Sequence, residues 1–321
     1  MIRHVIRYLA LAGLMLCAEA IAQVAPARIG WALSGSEEAS RANVEALRDG
    51  LRALGHVEGR TYVLDLRYAE GQLERYPKLF EEIVRAGPSV ILAGAYQGTR
   101  AASEATRTIP IVGISCGVEL LVGSLARPTG NVTGVTCQSP ELGPKQVQLL
   151  REALPRAGHL AVVYNPQVPY AVSEVAELRR IAGTLGVRIL GVEVSEPAQF
   201  DAAATAMRSA GVDAVFLIPD NMVYGNRKRL GELLLANRLP MMSGYSDFAM
   251  AGGLMSYGSN LQALIRRAAW YADRVLKGAR PADLPVEQPT KFELVINLRT
   301  AKALDLRISP ALLQRADDVI Q

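Results

Sequence analysis

Cysteine and histidine are each used only three times in 321 residues, and neither falls at the spacing of a metal site. Imidazole chemistry is thinly supplied as well. His4 lies in an N-terminal leader, His56 follows the helix-ending Gly55, and His159 opens an apolar strand, so both remaining rings occupy ordinary structural places. No phosphate loop of the Walker type is present. Gly30 and Gly35 are too scattered to form a dinucleotide fingerprint after the first strand, and no serine-hydrolase elbow is expected. These absences argue against an enzyme and imply no cofactor. Charge bias is missing too: 35 basic against 31 acidic side chains gives no reason to expect nucleic acid as a partner. Low-complexity tracts and internal repeats are absent.

What the chain does have begins at its N-terminus. Residues 1–22 run from Arg3, His4 and Arg7 through an apolar stretch, Tyr8 to Leu16, to the small-residue pattern Ala20-Ile21-Ala22. That succession predicts a signal peptide cleaved after Ala22, and hence a periplasmic protein. The apolar run is shorter than the ~20 residues a bilayer core demands, and Glu19 interrupts it, so no stable membrane insertion is expected after cleavage. A lipid anchor on Cys17 is disfavoured by the bulky Leu16 before it. Losing Arg3, Arg7 and Glu19 takes the 35 and 31 charged side chains to 33 and 30. Cys116 and Cys137 survive processing and would meet an oxidising compartment. Each lies just after an expected strand, which leaves two readings open, a disulfide or two semi-buried thiols.

Half the residues are hydrophobic, enough for a large core, and roughly 300 mature residues favour two lobes. From Arg28, short apolar strands alternate with amphipathic helices. Ile29–Leu33 reads as a strand, then Val44, Leu47, Leu51 and Leu54 line a helix face. Tyr62, Leu64 and Leu66 alternate as a strand, Tyr76 to Val84 form a helix stripe, and Val90–Ala93 and Ile109–Ile114 suit a sheet buried on both faces. A second series starts near Pro144: helices over 145–154, 172–185, 200–207 and 230–236 alternate with strands over 159–164, 187–194, 212–218 and 239–242. The repeated order predicts two α/β units with parallel sheets. A further stripe, Leu261 to Leu276, is expected to pack back on the first unit, and Pro281, Pro285 and Pro289 mark extended chain suited to a crossing. Ser309-Pro310 reads as an N-cap followed by proline at the first helical position.

Several segments resemble a known family. Gly252-Gly253-Leu254-Met255-Ser256-Tyr257-Gly258, Arg266-Arg267-Ala268-Ala269 and the run Leu284 to Leu298 are similar to the C-terminal part of ABC-type substrate-binding proteins, in the family that includes the tryptophan, tyrosine and phenylalanine binders. Ala105 to Val112, Ser124 to Gly134 and the closing Arg315 to Ile320 recur in the same order. The resemblance covers about Arg28 to the end. It implies the type I periplasmic binding-protein fold, two Rossmann-like lobes joined by a multi-crossing hinge. It further implies a receptor that closes around a small molecule, an aromatic or branched amino acid, and delivers it to an ABC permease driven by its ATPase. The lobes are expected at 23–140 plus 256–285 and at 141–255 plus 286–321. A ligand-sensing module for a membrane sensor or chemoreceptor is the alternative, since the same clamshell serves both.

In open parallel sheets, ligands gather beyond the carboxyl ends of strands. The candidates are Ser34 and Ser36 after the first strand, Ala95, Tyr96 and Gln97 after the third, and Ser115 after the fourth. The second half offers Tyr164, Asn165, Asp220, Asn221 and Tyr245. An amino acid needs donors for its carboxylate, an acid such as Asp220 for its ammonium, and an apolar wall for its side chain. Each candidate has a structural alternative: Asp220 as an N-cap, the serines as turn residues, the tyrosines as packing. Many family members carry Asp-Pro after the fourth strand, where this chain has Ser115-Cys116.

Overall fold

The computed structural model describes residues 25–137 and 142–321, so the expected leader lies outside the described residues. Two sheets organise the molecule. The first contains β1 (Ala27–Leu33), β2 (Tyr62–Tyr68), β3 (Val90–Gly94), β4 (Ile111–Ile114) and β5 (Val132–Val135), in the order β2-β1-β3-β4-β5. All its pairings are parallel. Helices α1 (Glu37–Ala53), α2 (Tyr76–Arg85) and α3 (Ala95–Ala105) connect these strands. Ile91, Leu92, Ile111 and Val112 are fully buried, which explains why these strands read as continuous apolar runs.

The second lobe carries α4 (Leu142–Ala153), β6 (His159–Tyr164), α5 (Pro169–Leu185), β7 (Arg188–Glu193), α6 (Phe200–Ser209) and β8 (Ala214–Leu217). It continues through α7 (Asn221–Gly225), α8 (Arg227–Ala236), β9 (Met241–Ser243), α9 (Ser246–Met250) and β10 (Met255–Gly258). After α10 (Leu261–Leu276) come β11 (Glu293–Asn297), α11 (Leu298–Ala303), α12 (Pro310–Leu313) and β12 (Asp318–Ile320). The second sheet runs β12-β11-β10-β9-β8-β6-β7. It departs from the all-parallel expectation at one place, where β11 lies antiparallel to β10. The reason is topological: α10 carries the chain to the other lobe and back, and it re-enters at the end where β10 left, so that Glu293 at the start of β11 pairs with Gly258 at the end of β10.

Placement of α10 decides where the lobes divide. It packs on α1, where Gly50 leaves no room for a side chain: a Cβ there would sit 2.7 Å from the Ala269 Cβ. β10, by contrast, belongs to the second sheet, where it pairs with β9. Val286 donates its N–H to Leu125 O at 2.7 Å and Glu287 bridges Val135, so the first lobe's edge extends through Glu287.

Both sheets reverse their strand order at one point, between β1 and β3 in the first and between β6 and β8 in the second. Such switch points leave a crevice at the strands' carboxyl ends, because the flanking loops turn to opposite faces. Among the described residues, no helix is long and apolar enough to cross a membrane.

Candidate binding site between the lobes

The two crevices face each other. From the first lobe, Trp31, Ser34, Ala95 and Ser115 enter a cavity; from the second come Asp220, Asn221, Tyr224 and Tyr245. The cavity measures about 60 Å³. The lobes meet directly around it. Gln97 Nε2 donates to Asp220 Oδ2 at 2.8 Å, Asn221 Nδ2 to the Tyr76 hydroxyl at 2.8 Å, and Asn43 Nδ2 to the Tyr224 hydroxyl at 3.2 Å. Ser115 Oγ and the Tyr245 hydroxyl share a short hydrogen bond. This is a closed arrangement.

Asp220 caps α7, accepting the Val223 N–H at 2.7 Å. The structural role anticipated for it is therefore present, alongside a place on the cavity wall. Burial raises its pKa above the ordinary aspartate value, and hydrogen bonds from Val223, Gln97, Asn165 and Met222 oppose that. Among the described residues, no cation is among these opposing groups. Its neighbour Asn221 is 5% exposed, and among the described residues its Oδ1 has no hydrogen-bond partner. On the facing lobe α3 begins without a side-chain cap, Ala95 adopts φ +48, and a Cβ on its N-cap Gly94 would lie 3.6 Å from Asn221 Nδ2. An uncapped helix start presents free N–H donors and the positive end of the helix dipole. The cavity thus offers helix N–H donors and a buried acid, with Trp31, Leu261 and Ile265 supplying apolar wall.

Six of the predicted residues, Ser34, Ala95, Ser115, Asp220, Asn221 and Tyr245, are brought together here. Five are not on this wall. Ser36 is the N-cap of α1, accepting the Ala39 N–H at 3.2 Å, and Tyr164 donates to Glu193 Oε1 at 2.7 Å on the sheet. Tyr96, Gln97 and Asn165 line a groove outside the cavity mouth. The loop expected to carry Tyr96 and Gln97 is in fact the first turn of α3. Gln97 and Asn165 still act on the site through Asp220.

Asn43, Tyr76 and Tyr224 were not anticipated. Asn43 had a signal, a polar residue on the buried face of an amphipathic helix beside Val44. Tyr76 was read as helix stripe, and Tyr224 lies in a helix of five residues, too short to show a period.

One absence also needs correcting. Gly113-Ile114-Ser115-Cys116-Gly117 does spell Gly-x-Ser-x-Gly, and Ser115 sits in a turn after β4 with φ +85. Its hydroxyl meets Tyr245, not a histidine. Among the described residues, Cys116 and Cys137 form a disulfide with Cα atoms 4.7 Å apart, which resolves the two readings of those residues.

Comparison with known proteins agrees with this architecture. Residues 32–320 match the family model for the ABC transporter substrate binding protein. The chain belongs to that family. Substrate-binding proteins of ABC transporters hold a solute and do not transform it. Among the relatives of this family member is a tyrosine-binding protein of Clostridioides difficile, 25% identical over 275 residues, covering 84% of this chain and 77% of the relative. A conserved domain protein from Vibrio cholerae superposes with TM-score 0.83 at 27% identity, over 91% of this chain and 99% of its own. A Streptococcus pneumoniae domain in complex with L-Trp also gives 0.83, at 24% identity, over 92% and 100%.

Proposed function

We propose that this substrate-binding protein works in the periplasm, closing around an α-amino acid with an aromatic or branched side chain and presenting it to an ABC permease driven by a separate ATPase. The observation that carries this reading is the polarity of the cavity. Among the described residues, Asp220 is a buried acid without a cation beside it, next to the unpartnered Asn221 Oδ1, and both face the uncapped start of α3. A zwitterion complements both features at once, its ammonium toward Asp220 and Asn221, its carboxylate toward the helix N–H groups. The apolar wall of Trp31, Leu261 and Ile265 takes the side chain. Relatives that bind tyrosine and L-Trp supply the first compounds to test, and the predicted leader supports export.

Ligand energy enters as differential affinity. A solute touching both lobes binds the closed form better than the open one and shifts the population toward it. Calorimetry with L-tyrosine, L-tryptophan and L-leucine tests the reading. At 100 times the dissociation constant, a bound solute adds about 2.7 kcal/mol of stability, visible as a higher melting temperature. Replacing Asp220 with Asn should cost about 1.5–3 kcal/mol, roughly tenfold or more in affinity. Failure of every amino acid to bind, or an Asp220→Asn variant that binds as well as wild type, would remove the amino-acid reading.

A further inference from the structure

On the hinge side of Tyr245 lies a second cavity of about 380 Å³. Tyr245 and Pro219 line both cavities, so the tyrosine ring forms part of the partition between them. Cys116 and Cys137 stand in the wall of this second space. Their disulfide is placed where the first lobe's sheet has little use for it. Strands β4 and β5 are already paired from Ile111↔Val132 to Ile114↔Val135, and the Ser115 N–H adds a hydrogen bond to Val135 O at 2.8 Å. The bridge lies beyond that ladder, joining the turn after β4 to the start of the crossing into the second lobe.

What the turn holds is Ser115, at φ +85. A non-glycine residue in the left-handed region persists only where its surroundings enforce it. The following Cys116 is covalently fixed, and its Sγ lies 3.2 Å from the Tyr245 hydroxyl. The preceding Gly113 packs so closely on Val118 that a Cβ would meet its Cγ2 at 2.7 Å. Held from both sides, Ser115 presents its Oγ to Tyr245 across the lobe interface.

We propose that the Cys116–Cys137 disulfide is a positioning element of the solute site: it holds Ser115 against Tyr245 and so biases the lobes toward the closed arrangement. The proposal rests on the interlobe cavity being the binding site, and it does not depend on which solute occupies it. Without the bridge, the turn relaxes toward an ordinary backbone conformation, the Ser115 hydroxyl leaves Tyr245, and the open form gains population. Solute affinity then falls although neither core has changed.

The test uses the folded chain in its Trp270→Phe form, so that Trp31, on the cavity wall, is the remaining tryptophan. A water-soluble phosphine reduces the bridge; two thiols form and the oxygen of water passes to phosphorus, which mass spectrometry confirms. Acrylamide quenching of Trp31 without ligand reports opening, calorimetry with L-tyrosine reports affinity, and circular dichroism reports the fold. Reduction should raise the quenching constant and weaken L-tyrosine binding roughly fivefold or more, within the usual range of coupling between sites, while the dichroism stays unchanged. Tyr245→Phe in the oxidised protein should open the lobes similarly, and reducing that variant should add little. If the buried bridge resists the phosphine, the Cys116→Ser, Cys137→Ser double variant takes its place. Unchanged quenching without the bridge would overturn the proposal, as would fully additive effects of reduction and Tyr245→Phe. If L-tyrosine fails to bind even the oxidised protein, the amino-acid reading fails separately, and quenching still decides this one.

Discussion

Glu174 faces the hinge-side cavity, and burial pushes its carboxyl up from 4.5 to about 7. An acid whose folded pKa is raised holds its proton more tightly in the folded state. The stability this brings is complete below about pH 4.5 and disappears as pH rises through about 7. Glu174→Gln should therefore match wild type at about pH 4 and exceed it at about pH 8 by about 1–3 kcal/mol, read from thermal melts at the two pH values. Asp220 follows related logic with a functional consequence. Its pKa is also raised by burial, so solute affinity should begin to fall on acidification before an ordinary carboxylate would titrate, and calorimetry across that range checks it. Tyr96→Ala should leave affinity within about twofold, because that ring lies in the outer groove. These residues differ in legibility. Asp220 was readable as a strand-end acid, whereas Tyr96 looked equally suitable until the structure placed it in the outer groove.

Helix α10 shows how one element can be plain in sequence and still have its role decided elsewhere. Its apolar stripe from Leu261 to Leu276 is legible, and the structure has a helix over that span. The partner surface is less legible, because it depends on Gly50 of α1, which reads as an ordinary helix-weakening glycine. An alanine there would gain about 1 kcal/mol of helix propensity. Its Cβ, however, would lie 2.7 Å from the Ala269 Cβ and 3.0 Å from the Arg266 carbonyl. Backbone cannot yield as a flexible side chain can, so overpacking of about 1–3 kcal/mol should win. Gly50→Ala should lower the denaturation midpoint without changing far-ultraviolet dichroism. The short elements α7, α9, β10 and β12 escaped the sequence reading, since three to five residues show no measurable period.

At the scale of the whole molecule, closure is a sum of contacts between residues far apart in the chain. Arg227 illustrates it: Nη2 donates to the Ala39 carbonyl of the other lobe at 2.8 Å, while the guanidinium stacks 4.3 Å above the Tyr224 ring. Removing it as Arg227→Ala should cost the closed form about 1.5–3 kcal/mol. Small-angle scattering should then show a larger radius of gyration without ligand, and affinity for a bound amino acid should fall roughly tenfold. An unchanged radius would mean that the remaining contacts, among them Gln97 to Asp220, Asn221 to Tyr76 and Asn43 to Tyr224, hold the lobes together without it.

By itself the sequence determined the succession of strands and helices, the two α/β units, and the strand ends at which Ser34, Ala95, Ser115 and Asp220 stand, because hydrophobic periodicity is a local property of the chain. Tertiary structure alone decided which strand-end residues share a wall, that β10 remains with the second sheet, that Cys116 meets Cys137, and that Asn43 and Tyr224 touch across the cleft. Those outcomes depend on how two separately wound sheets face each other, and no window of neighbouring residues records that orientation.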